Sequence, residues 1–169
     1  MTQNSPTTTL PTTARPTNAF VGASWAALLA GVVAFVVGLW NAEMLLSEKG
    51  YYLTVLMFGL FAAVSLQKSV RDQLEGITVS PIYYGLAWLS VGAALVLLTV
   101  GLWNAVLLPS EKGFYAMSFT LSLFAAVTVQ KNIRDLASAD APVADAVKES
   151  LSGTGAWSSP SDSSPIHPR

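Results

Sequence analysis

The sequence predicts an all-α fold: an integral membrane four-helix bundle of two tandem, parallel helical-hairpin repeats with disordered termini. Three observations carry this. Four long apolar stretches contain no charged side chain between their ends. One phrase, "GLWNA…SEKG", occurs twice at a fixed offset of 63 residues. Charged residues make up 11% of the chain, against roughly 25% in a soluble domain, which leaves no charged faces for amphipathic helices in water.

The stretches run from Phe20 to Ala42, Tyr51 to Leu66, Ile82 to Leu108 and Phe114 to Val129. A bilayer core needs about 20 helical residues. The first and third stretches meet this directly. The second and fourth are shorter, but their helices can continue through "QKSVRDQLE" and "QKNIRD" into the interface. Asn18 is the expected cap of the first helix, and Gly76 the left-handed end of the second. Ser80-Pro81 reads as a cap followed by proline at the first helical position. A cleavable signal peptide is the competing account of the first stretch. Its apolar run exceeds the usual length of about 7–15 residues and only Arg15 precedes it, so a retained span is expected.

Residues 1–18 and 138–169 are rich in Thr, Pro, Ser and Ala and bury too little to offset chain entropy. Both are expected to be disordered, with a transient helical stretch around Val143 to Leu151. The repeats then occupy 19–76 and 77–137. Arg15, Lys68, Arg71, Lys131 and Arg134 fall on one side of the membrane, and only Lys49 and Lys112 lie in the hairpin loops on the other. The excess places both termini in the cytoplasm.

Aligned without gaps, Gly38–Asp72 and Gly101–Asp135 are identical at 20 of 35 positions, so the second unit arose by duplication. Each unit has two spans, so both enter from the same side. Between Leu53 and Gly59 no residue matches its counterpart, which we read as drift in a lipid-facing segment. The doubled "GLWNA…SEKGxY…LFAAV…QKxxRD" resembles the YiaA/YiaB family of small bacterial inner-membrane proteins, whose unit is a two-helix domain; two units in one chain resemble its YiaA-like members. The resemblance covers roughly residues 20–136. It implies a multi-pass protein of the bacterial inner membrane and carries no catalytic residue with it.

Three groups of residues are candidates for function. At the outer turns stand Trp40, Asn41, Ser47, Glu48, Lys49 and Gly50, repeated as Trp103, Asn104, Ser110, Glu111, Lys112 and Gly113. Here the serines can cap the following helices, the glycines permit the turn, and each Glu-Lys pairs opposite charges. Trp40, Tyr51 and Tyr52, with Trp103, Phe114 and Tyr115, suit a headgroup-level aromatic belt; stacking of a ligand on Trp40 or Trp103 is the alternative. At the cytoplasmic ends stand Gln67, Lys68, Arg71 and Asp72, repeated as Gln130, Lys131, Arg134 and Asp135. They read as anchoring, or more sharply as a docking or lipid-headgroup surface. Finally, small residues at Ala23, Ala27, Gly31, Ala34 and Gly38, at Gly59 and Ala63, and at Ser122 and Ala126 suit close helix packing within the chain, with a subunit interface as the alternative.

The remaining chemistry is sparse. Cysteine is absent and the single histidine, His167, lies near the end, so a cysteine or multi-histidine metal site is excluded. With a net charge of −1 and no basic run, no nucleic-acid partner is expected. No nucleophile–base pair, phosphate loop, cofactor or small-molecule site is legible. Glu43 has Val106 as its counterpart, so a symmetric carboxylate pair is missing. The expected function is a non-enzymatic structural or partner-binding membrane protein, its partners being the bilayer and a second copy or another membrane protein. The alternative is a small transporter or channel with a polar path lined by Asn41, Asn104 and Gln67.

Overall fold

The computed structural model describes residues 16–153, and all of its regular elements are helices: α1 Asn18–Asn41, α2 Leu46–Leu74, α3 Pro81–Asn104 and α4 Pro109–Gly153. Each includes a segment long and apolar enough to cross a membrane. The 24 residues of α1 extend about 36 Å at 1.5 Å per residue, enough for a hydrocarbon core of about 30 Å. Expectations for residues 1–15 and 154–169, His167 among them, lie outside the described residues.

The helix ends follow local chemistry, with some corrections. Thr17, not Asn18, caps α1: its Oγ1 accepts the Phe20 N–H at 3.3 Å, and Asn18 is already helical. Gly76 ends α2 with φ +74°. Ile77 N–H donates to Asp72 O at 2.9 Å and Gly76 N–H to Gln73 O at 3.1 Å, the paired bonds of a Schellman end. Pro81 opens α3, while the Ser80 hydroxyl makes no capping bond. Helix α3 stops at Asn104 rather than running to Leu108. The tail expected to be disordered from residue 138 instead continues α4 to Gly153. That stretch carries several alanines and grows from a helix that already exists, so the cost of nucleation is absent, although Pro142 within it forgoes one ladder hydrogen bond.

The helices do not pack as two separate hairpins. Helix α1 lies along α4, and α2 along α3; α2 and α4 touch centrally, α1 and α2 meet little, and α3 and α4 hardly touch. Each repeat therefore clasps the other. The contacts repeat under the 63-residue shift. A Cβ at Gly38 would meet the rings of Phe114 and Tyr115, and one at Gly101 would meet those of Tyr51 and Tyr52. A pseudo-two-fold axis thus runs between α2 and α4. Tyr52 and Tyr115 stack, centroids 6.2 Å apart at 16°. Both are buried, so these two belong to the core and not to the aromatic belt.

The segment read as drifted and lipid-facing proves to hold much of the core. Val55, Leu56, Gly59, Ser118, Phe119 and Ser122 are all buried. A residue near a pseudo-axis packs against its own counterpart's neighbourhood, and two bulky copies cannot share that space. Phe119 therefore stands where the first repeat has Leu56, and its ring fills the space beside Gly59, whose counterpart is Ser122. Divergence here is complementary packing.

Candidate functional site

The doubled turn is a joint built from its own charges. Four residues, 42–45 and 105–108, link the helices in each repeat. Glu48 reaches back to accept the Leu45 N–H at 3.0 Å, and Glu111 accepts that of Leu108 at 2.9 Å. These are the glutamate halves of capping boxes, placed where a helix N-terminus favours negative charge. Lys49 Nζ donates to Trp40 O at 2.9 Å and Lys112 Nζ to Trp103 O at 3.2 Å, each closing a carbonyl at the end of the preceding helix. Glu and Lys thus hold opposite helix ends together.

Ser47 and Ser110, expected to cap, sit inside the first helical turn, one position short of the glutamates that do. Gly50 and Gly113 are helical with negative φ and open space around them, so they do not make the bend; nothing in the structure explains glycine there. Glu48→Ala with Glu111→Ala should cost about 1 kcal/mol per site, read as a lower melting midpoint in detergent. An unchanged midpoint would show these caps to be idle.

Asn41 and Asn104 each donate to a carbonyl of their own helix, Val37 O and Val100 O, at 2.8 Å. Asn104 does share a surface depression of about 550 Å³ with Glu43 and Glu48 of the other repeat. Gln67, the third residue of the expected polar path, lies near the opposite end of α2. The three are not brought together. Trp40 and Trp103 are more than four-fifths exposed, as suits rings at the interface.

At the other end the two basic clusters meet through a residue the sequence reading missed. Glu75 accepts from Arg71 Nε of its own repeat at 2.7 Å and from Arg134 Nη2 of the other. Arg134 Nη1 also lies 3.8 Å from Asp72. The Arg71 hydrogen bond, assisted by the charge of Arg134, holds the Glu75 carboxyl below its ordinary range. Glu75 follows Arg71 by four positions, the spacing of a helical ion pair; that was the available signal. Its counterpart in the second repeat is Ser138, so the clamp exists once. Lys68 pairs with Asp72 at 3.6 Å and Lys131 with Asp135 at 3.1 Å.

A second missed contact is buried. Asn132 is fully enclosed and donates to Ser24 Oγ at 2.9 Å, tying α4 to α1. The corresponding positions are Ser69 and Ala87, so this bond too is single-copy. Of the small residues, Gly31 receives Ser122 and Gly59 receives Phe119; Ala63 and Ala126 are buried. These contacts are all within the chain. Beside them, a cleft of about 760 Å³ opens between α3 and α4, floored by α2, with Gln67, Arg71, Lys131 and Asp135 among its lining. Among the described residues no cluster of three or more His, Cys, Asp or Glu could hold a metal ion.

Comparison with known proteins agrees with a tandem pair of two-helix units. The family model described as "yiaA/B two helix domain" matches twice, over residues 20–72 and 83–135. The chain is 59% identical over 117 residues to "Inner membrane protein YiaA" of Escherichia coli (strain K12), covering 69% of this chain and 81% of that protein. It is 42% identical over 62 residues to "Uncharacterized membrane protein YubF" of Bacillus subtilis (strain 168), covering 36% of this chain and 71% of that one. No solved structure matches. With two matched domains and four helices able to span a bilayer, the chain belongs to the yiaA/B two-helix-domain family and is a multi-pass protein of the inner membrane.

Proposed function

We propose that this is a non-enzymatic protein that works through contact with another membrane protein or a second copy of itself, with both termini in the cytoplasm. The observation that carries this reading is the filled interior. Phe35 and Phe119 are wholly buried, Leu56 nearly so, and the Tyr52–Tyr115 stack occupies the axis where a conduit would run. Of the polar groups that could line a path, Asn41 and Asn104 bond to their own helices, and Gln67 lies toward the opposite end of α2, in the α3–α4 cleft. What the molecule offers is surface. The two turns face the same side and each presents an exposed Trp, the residue type enriched at binding hot spots.

The test is crosslinking in intact membranes from a photoreactive side chain at position 40 or 103, with the products identified by mass spectrometry. One recurrent protein partner, or this chain itself, is expected. Only lipid adducts at both positions would overturn the reading. The orientation rests on the excess of Lys and Arg at the end opposite the turns. A reporter fused after Arg134 should be active in the cytoplasm, and activity only outside it would reverse the topology.

A further inference from the structure

We propose that the α3–α4 cleft binds one anionic glycerophospholipid, its acyl chain against the apolar walls and its phosphate held by Arg71 and Lys131. This goes beyond the partner-contact reading and stands or falls separately from it. The cleft exists because α1 pairs with α4 and α2 with α3, leaving α3 and α4 apart over a floor made by α2. Its volume of about 760 Å³ is in the range of about 300–1,000 Å³ that holds small ligands. Trp88, Leu95 and Phe124 line the bilayer part, and the charged residues stand at one end, which is the polarity of a phospholipid.

The charges at the mouth select the headgroup. The ionised groups lining the cleft are Arg71, Lys131 and Asp135, a sum of +1 that complements one phosphodiester. Arg71 uses its Nε on Glu75 and leaves both terminal nitrogens for phosphate, to which a guanidinium binds in bidentate fashion. Lys131 gives one donor to Asp135 and has two more. One turn inward on α2, Gln67 Oε1 is shielded from solvent without a hydrogen-bond partner. About 6 Å from Arg71 along the helix, Gln67 lines the cleft at the depth of the ester carbonyls, to which its NH₂ can donate, while its Oε1 is left to accept from a donor such as a headgroup hydroxyl. The pseudo-equivalent arginine, Arg134, spends Nη2 on Glu75 and holds Nη1 3.8 Å from Asp72, so its guanidinium is turned to the carboxylates of the other repeat. One site, not two, is the consequence of the single Glu75.

The test uses the full chain in mild detergent with equimolar phosphatidylglycerol and phosphatidylcholine of identical acyl chains, and counts retained lipids by native mass spectrometry. One phosphatidylglycerol should be retained per chain in preference to phosphatidylcholine. Lys131→Gln with Arg71→Gln should reduce that preference by about tenfold, the scale of a lost charge-assisted hydrogen bond. Lys68→Gln, the same charge at the pseudo-equivalent position, should leave it unchanged. Val91→Trp, which fills the cleft without touching charge, should lower retention of both lipids. If the Arg71 substitution loosens the fold through Glu75, seen as a lower melting midpoint, Lys131→Gln alone still reads the site. Equal retention of the two lipids by the wild-type chain, an equal loss with Lys68→Gln, or full retention with Val91→Trp would each overturn the proposal.

Discussion

Gly31→Val should separate α1 from α4 and destabilise the protein by about 1–3 kcal/mol or more. A Cβ at Gly31 would lie 2.6 Å from Ser122 Oγ, 2.9 Å from Ser122 N and 3.2 Å from Ser118 O. Two of these atoms are backbone in a helix and cannot turn aside, so the whole helix must move. The loss is not local, because α1 holds to the bundle chiefly through α4. In lipid the apolar face of α1 gains little from burial, so close packing carries most of the association. Gly22→Val is the matched control, since nothing lies within 4 Å of that site and it shares the helix and the change in propensity. The comparison is made by thermal melting in detergent or by unfolding with denaturing detergent. Equal stability of the two variants would remove Gly31 from the account of the fold.

The second large effect is a coupling across the axis. A Cβ at Gly59 would lie 2.6 Å from Phe119 Cζ and 3.1 Å from Cε2. Phe119 is fully buried and lies 6.3 Å from the Phe35 ring, so its ring has no free space to enter. Gly59→Ala is expected to cost about 1–3 kcal/mol. Phe119→Leu alone removes ring contacts and should also destabilise, by a similar amount, through the cavity it leaves. Together they should cost less than the sum of the two single changes, because the pair then approaches the arrangement of the pseudo-equivalent positions, Leu56 and Ser122. A double-mutant cycle measures this, with a coupling of about 0.5–3 kcal/mol expected for residues in contact. Strict additivity would mean that the two residues do not share one space, and that their divergence between repeats has another cause.

How much of this was legible in advance depended on the range of the interaction. The spans were readable because lipid excludes charge and unpaired backbone, so an uncharged run of sufficient length has few other fates. The duplication was readable because identity at a fixed offset needs no structure. The Gly76 ending was readable because left-handed φ selects glycine over a few residues. The same logic failed where two residue types could do one job. Ser47 and Glu48 both look like caps, and only the helix start decided for the glutamate. Glu75 sat at ion-pair spacing from Arg71, but nothing local showed that Arg134 would arrive from the other repeat.

The sequence by itself determined four membrane-spanning helices, their tandem origin, the polar turns at one end and the basic clusters at the other. These follow from hydropathy, charge and local backbone preference, which act within a few residues. Only the tertiary structure decided that α1 embraces α4 and α2 embraces α3, that Tyr52 stacks on Tyr115, and that the least matched segment of the repeats is their shared core. The membrane-spanning part of each helix is free of charge on every side, so no hydrophobic face announces its partner. In that setting the choice falls to shape, to which glycine leaves room for which ring, and shape complementarity between distant segments exists only once they are packed.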